Sequence, residues 1–241
     1  MLNDDRVVVW FDIDNTLYPS SSRISQAMSD RIHAYFVNLG LSHEEATALH
    51  IQYYTQYGLA LRGLIRHHDI DPLDFDRQCD GSLPLEDMIK FDPKLVKLFE
   101  DIDRTKARVW ALTNAYKPHA QRVLRILQLD GLIDGLLYCN YQVKDFICKP
   151  EAEFYNLAIQ QVGITDRSKC YFVDDSFRNV QAAHALGWGK CVHFCEKGHD
   201  LTVNGNLVNG LENGEMDSPI QRISSLEELR DIWPEIFKDY E

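Results

Sequence analysis

The chain has 241 residues, 45% of them apolar and 26% charged, a globular composition with enough material for a sizeable core. Acidic residues outnumber basic ones 37 to 25, and the net charge of −12 argues against nucleic-acid duplexes or anionic membranes as main partners. No apolar run approaches the ~18 residues of a membrane span. The polar start shows no secretory signal, so a cytoplasmic location is expected, with the nucleus as an alternative, and the six cysteines are expected to be reduced.

The first element is an apolar run, Val7-Val8-Val9-Trp10-Phe11, which reads as a buried strand and leads into Asp12-Ile13-Asp14-Asn15-Thr16-Leu17. Residues two apart on an extended chain point the same way, so Asp12 and Asp14 should project together from the strand's carboxyl end. That end is where open α/β sheets bind ligands. Two like charges held together call for a cation, or for a proton shared with chemistry.

Tyr18-Pro19-Ser20-Ser21-Ser22 reads as a linker into a stretch with helical periodicity and no strand. Helices are expected over 24–39, over 43–57 behind a Ser42/Glu45 capping box, over 59–68, and over 72–79 with Pro72 at its start. Asp80-Gly81-Ser82-Leu83-Pro84 reads as a turn-rich exit. A β/α alternation follows. Strands are expected over 107–112, 136–139, 170–173, 190–194 and 220–223, and helices over 93–104, 117–127, 151–162, 179–186 and from Ser225 onward. Residues 196–219, rich in Gly and Asn, read as a loop.

This order gives an α/β fold, a Rossmann-like three-layer core with a mostly parallel sheet. Residues 1–20 and 83–241 form that core, and 21–82 form an all-helical cap inserted after the first strand. Polar residues then gather at three strand ends: Asp12/Asp14, Thr113/Asn114 and Asp174/Asp175. Lys149-Pro150 sits just before a helix, with Lys144 as the rival lysine. Cys191, His193 and Cys195 alternate along one strand, which fits a soft-metal site or a half-buried edge strand.

Taken together these motifs resemble those of the haloacid dehalogenase-like superfamily, whose phosphatases carry Asp-x-Asp-x-Thr, then Thr or Ser, then Lys, then paired acids. Asn15 stands where Gly is common, and Asn tolerates a left-handed backbone well. The resemblance implies that Asp12 attacks phosphorus to form an aspartyl-phosphate, while Asp14 protonates the leaving alkoxide and later deprotonates water. It implies Mg²⁺ held by the Asp12 carboxylate, the Asp14 main-chain carbonyl and Asp174. Thr113 and the amide of Asn114 would hold phosphoryl oxygens, with Lys149 supplying positive charge beside them and beside Asp12. Asp175 would orient Lys149 or a metal-bound water, with Asn179 behind the acidic pair. The charge of Asp12 is expected to keep Asp14 protonated for its first task.

The cap pattern, with Tyr57-Gly58-Leu59, Asp80-Gly81-Ser82-Leu83-Pro84 and Phe146-Ile147-Cys148-Lys149-Pro150-Glu151, is similar to the fungal pyrimidine 5'-nucleotidases. That similarity implies a small-molecule phosphate monoester as substrate, UMP and CMP first. Tyr53, Tyr57 and Arg62 are the cap residues expected to choose it, by stacking a base and holding a polar group. Alternatives are a phosphatase for another small ester, a 2-haloacid dehalogenase, or a non-catalytic protein on the same fold. Oligomeric state is open at this level.

Overall fold

The computed structural model describes residues 4–143, 145–196, 202–203, 206–207 and 219–239. Strand β1 (Val7–Phe11) is the centre of a six-stranded parallel sheet. β2 (Ala107–Leu112) and β3 (Gly135–Leu137) lie on one side of it, and β4 (Cys170–Asp174), β5 (Lys190–Phe194) and β8 (Gln221–Ile223) on the other, in the order β3-β2-β1-β4-β5-β8. Between the last two, the short strands β6 (Thr202–Val203) and β7 (Asn206–Leu207) pair antiparallel outside the main sheet. They are what is described of the expected 196–219 loop beyond its ends. The rest of that loop and Lys144 lie outside the described residues.

Alternate side chains of β1 enter different layers, as period-two geometry requires. Val9 and Phe11 pack in one buried cluster with Phe99, Val109 and Val173, whereas Val8 and Trp10 join another with Phe154, Phe172 and Trp188. Burial on both faces explains the unbroken apolar run in β1. β1 pairs with β2 through Phe11 and Ala111, and with β4 through Phe11 and Val173. The winding reverses direction here, so the carboxyl ends of β1, β2 and β4 open onto one crevice.

Between β1 and β2 run α1 (Ile24–Asn38), α2 (His43–Tyr57), α3 (Ala60–His67), α4 (Pro72–Gln78), the short α5 (Leu85–Met88) and α6 (Pro93–Asp101). Ser42 and Glu45 form the full capping box of α2, and Gly58 ends it at φ 80°. Asp71 caps α4 with Pro72 at its start. The block α1–α4 is not packed as a separate oil drop. Ile32, Phe36, Tyr53 and Leu64 belong to the same buried cluster as Trp10 and Phe154.

Behind the sheet ends come α7 (Lys117–Ile126), α8 (Ala152–Val162), α9 (Phe177–Ala185) and α10 (Leu229–Ile232). Several boundaries differ from the sequence reading. α6 stops at Asp101 rather than 104, because Ile102 leaves the helix to bridge Phe237. β3 covers 135–137, and the Ser225 capping box opens a 3₁₀ turn that precedes α10. β5 lies between β4 and β8 and is no edge strand, and His193 Nε2 donates to the Asp175 carbonyl at 3.0 Å.

Candidate active site

Asp12 leaves β1 at the crevice and is 5% exposed. Its Oδ1 accepts from Lys149 Nζ at 2.5 Å and its Oδ2 from Thr16 Oγ1 at 3.0 Å. Thr16 also accepts the Asp175 amide at 3.1 Å, which ties the turn after β1 to the turn after β4. That turn is possible because Asn15 takes φ 59°, the left-handed backbone that Asn tolerates.

Lys149 is wholly buried, and its three Nζ protons go to Asp12 Oδ1, to Asp174 Oδ2 at 2.6 Å and to the Leu112 carbonyl at 2.7 Å. Every donor of the ammonium group is therefore spent on protein. The sequence reading had Lys149 supplying positive charge beside Asp12 and the phosphoryl oxygens; here its ammonium holds and neutralises the carboxylates of Asp12 and Asp174. Its backbone is gripped in turn by Asn114, whose Oδ1 accepts the Lys149 amide at 2.7 Å while Nδ2 donates to its carbonyl at 3.0 Å. This side-chain clamp was not read from the sequence, where Asn114 figured only through its main-chain amide. Thr113 lies alongside, buried, its Oγ1 accepting the Ala115 amide at 3.0 Å and its own hydroxyl proton left to give.

Asp174 is fully buried at the end of β4. Beyond Lys149 it accepts the Ser176 amide at 2.8 Å and Asn179 Nδ2 at 3.1 and 3.2 Å, so Asn179 holds this carboxylate in place. Asp175 does not touch Lys149. Its carboxylate takes no hydrogen bond from the described residues, although oxygens of Asp12, Asp174 and Asp175 all lie within 4.8 Å of one another. Burial, together with the neighbouring carboxylates, pushes Asp12 up to about 7 despite Lys149, and pushes Asp175 well up too. One lysine among three acids leaves unmet demand for positive charge, and hard oxygen donors so arranged fit a divalent cation such as Mg²⁺. Among the described residues this acidic group, and not Cys191, His193 and Cys195, is close enough to hold a metal.

Asp14 departs from expectation. Its Oδ1 accepts from Tyr18 at 2.7 Å and from His119 Nε2 at 2.8 Å. Burial works against its charge, but the His119 cation and these two hydrogen bonds outweigh burial and hold Asp14 below the usual carboxylate range. His119 is itself raised to about 9: burial opposes its charge, and Asp14, Asp80 and Asp76 overcome that opposition. The proton expected on Asp14 thus resides on His119. The sequence reading missed this histidine. The available signal was a titratable residue on the buried stripe of α7, in step with Ala120, Val123 and Leu124, in the first turn after a strand end.

The sign of the resulting pH dependence follows from the raised pKa. Stabilisation by the His119 charge is complete below its unfolded value of 6.5 and is lost as pH rises through about 9. Thermal melts from pH 6 to 10 should therefore show a stability decline in the parent that His119→Asn lacks. Equal slopes in the two proteins would refute the pairing.

Above these carboxylates a cavity of about 350 Å³ opens between the sheet edge and the helical block. Tyr53, Tyr57 and Arg62 are not among its lining residues. Tyr53 is 4% exposed and lies over Gly63, where an added Cβ would sit 2.0 Å from the Tyr53 ring. Tyr57 shares a hydrogen bond with His67 at 2.8 Å. Arg62 bonds the Tyr57 carbonyl at 3.2 Å, pairs with Glu151 and approaches Cys148 Sγ at 3.5 Å. These three expected specificity residues are instead structural. Helical periodicity put Tyr53 and Tyr57 on one face but could not say that α3 covers it. The cavity wall on this side comes from Ser29, Ile32, His50, Tyr54 and Phe75.

The chain matches the family model of haloacid dehalogenase-like hydrolases over residues 7–187. It is 38% identical over 200 residues to Phosphate metabolism protein 8 of Saccharomyces cerevisiae, a match covering 79% of this chain and 62% of that protein. The chain thus spans less than two thirds of that relative's length. Among solved structures, a HAD phosphatase from Thermococcus onnurineus superposes with a TM-score of 0.61 at 17% identity, covering 96% of this chain and 100% of that one. CbbY from Rhodobacter sphaeroides in complex with phosphate gives a TM-score of 0.61 at 18% identity, covering 93% and 96%. At such identities the structural likenesses speak for the fold.

Proposed function

This chain belongs to the haloacid dehalogenase-like hydrolase family, and on that premise we propose that it is a Mg²⁺-dependent phosphomonoester hydrolase acting on nucleoside 5'-monophosphates, pyrimidine nucleotides such as UMP and CMP first. The observation that carries the reading is the buried Lys149 bridging Asp12 and Asp174, with Thr113 beside them, where three strands end on one crevice. A phosphate monoester hydrolyses extremely slowly unaided, so a nucleophile and dense charge compensation are both needed, and both converge there. The nucleotide preference rests on the similarity of the cap pattern to fungal pyrimidine 5'-nucleotidases and on a cavity large enough for a nucleoside.

In this reading Asp12 attacks phosphorus, the bond to the leaving oxygen breaks, and an aspartyl-phosphate results. Lys149 and Thr16 fix the attacking carboxylate from both oxygens, which limits its rotation and aims it. The Thr113 hydroxyl and the Asn114 amide receive phosphoryl oxygens. The leaving oxygen takes its proton through Asp14, with His119 Nε2 as the store behind it. In the second half water gives that proton back, attacks the aspartyl-phosphate, and releases phosphate with the Asp12 carboxylate restored.

Asp12, Asp174 and the Asp14 main-chain carbonyl would hold Mg²⁺, with the free Asp175 carboxylate beside them. When bound, the ion offsets repulsion between the anionic nucleophile and the anionic phosphate.

A phosphate-release screen over nucleotides and small esters, with and without Mg²⁺, tests the reading. UMP and CMP should be turned over fastest, and chelation should remove turnover. Equal rates on all esters would overturn the nucleotide preference alone. Halide release from 2-haloacids without metal, and no phosphate release, would overturn the phosphatase.

A further inference from the structure

The cavity wall opposite the carboxylates is apolar at Met28, Ile32, Leu61 and Phe75, with one buried polar ring among them, His50. His50 is 3% exposed, projects from α2, and stacks on Phe36 with ring centroids 6.3 Å apart. Neither of its nitrogens is hydrogen-bonded to a described residue, and Nδ1 is sealed from solvent. Such a ring stays neutral: burial, with His33 adding to it, pulls it down to about 4. A neutral imidazole carries one N–H and one lone pair. A sealed N–H with no acceptor is the rarer and costlier orphan, so the sealed Nδ1 is the lone pair and the proton sits on Nε2. A free donor is thus left on a residue that lines the cavity.

The buried cations around this space are spoken for. Lys149 spends all three protons on protein, and His119 is paired with Asp14. Arg178 is exposed and donates to the Thr55 carbonyl at 2.9 Å. Asp80, raised to about 6 by burial, adds negative character. Among the described residues the buried apolar wall itself carries no cation to meet a carboxylate or second phosphate on the leaving group, and Arg178 stands at the exposed edge of the lining.

We infer that His50 is the residue that reads the leaving group, donating from Nε2 to an acceptor atom on an uncharged, ring-bearing group such as a nucleobase carbonyl. The apolar wall takes the flat faces of that ring, and His50 supplies the polar discrimination an apolar wall lacks. This rests on the phosphomonoesterase reading above and deepens it.

The test compares kcat/KM for UMP with that for methyl phosphate, whose leaving group is too small to reach the wall, in the parent, His50→Phe and His50→Gln. In His50→Phe the UMP/methyl phosphate ratio should fall about tenfold, chiefly through KM, the size expected for one lost hydrogen bond. His50→Gln, which keeps a donor, should recover most of it. Thermal melts identify a variant that fails to fold, and Ser29→Ala, on the same wall, then serves as the second probe, with a smaller loss of the same ratio expected. An unmoved ratio in the folded variants, or equal losses on both esters, would overturn the role of His50. Parent preference for 2-phosphoglycolate or a sugar bisphosphate over UMP would overturn the uncharged leaving group. Absence of phosphate release from every ester would instead bring down the phosphatase reading, a separate and recognisable failure.

Discussion

Asp12→Asn should lower phosphate release by roughly 10⁵-fold, the scale seen when a covalent nucleophile is removed. The variant should nevertheless fold. Asn is isosteric with Asp, its amide oxygen can still accept from Lys149 while its Nδ2 turns to the Thr16 hydroxyl oxygen as a donor, and the change removes one of three crowded carboxylates. Its melting temperature should be no lower than the parent's, because burial and neighbouring charge already make the ionised Asp12 unfavourable. Acid quench during turnover should trap a hydroxylamine-sensitive phosphoryl group on the parent and none on the variant. Appreciable turnover by a correctly purified Asp12→Asn protein would remove Asp12 from the role of nucleophile.

Lys149→Met should damage both chemistry and fold. It leaves Asp12 and Asp174 facing each other without their shared ammonium, in a site where Lys149 and Asp174 are essentially inaccessible. Stranding buried charge in this way costs about 3–5 kcal/mol. For a chain of this size that corresponds to a fall in melting temperature of roughly 10 °C at pH 8. Lowering the pH toward 5 should restore part of it, since a carboxylate that takes a proton no longer needs a partner. Activity should fall by roughly 10³-fold even where the protein is folded, because the electrostatic support of the attacking carboxylate is gone. A variant as stable as the parent at pH 8 would mean that Lys149 is not the counter-charge of this cluster.

The strands were legible because β1 and β4 are buried on nearly all of both faces and therefore written as apolar runs ending in polar residues, while β2 is buried on one face and half-buried on the other, with Arg108 its one charged residue. The placing of Asp12, Thr113 and Asp174 at strand ends follows from the alternation of β and α, whereas the strand order that makes those ends adjacent was not read from the sequence. What else the sequence did not disclose depends on which helix face meets which neighbour. Tyr53 and Tyr57 share a face, yet only the placement of α3, with Gly63 under the Tyr53 ring, shows that this face is filled by protein. His119 was hidden for the opposite reason: a lone histidine in a helix announces no partner, and Asp14 is 105 positions away. The protonation of Asp14 was misjudged because proximity to Asp12 was visible in the spacing, while the stronger influence of His119 was not.

Arg62 belongs to the helical block and Glu151 to the turn that carries Lys149, and together with Gly58, where a Cβ would come 3.0 Å from the Lys149 carbonyl, they fasten the two regions to each other. The fastening limits how this chain can be recombined. Transplanting a foreign block onto this sheet without also carrying over the 148–151 turn would leave Glu151 unanswered and press a new side chain onto the backbone that Asn114 clamps. The unit to transplant is therefore the block plus that turn. A change in the block bears directly on the setting of Lys149.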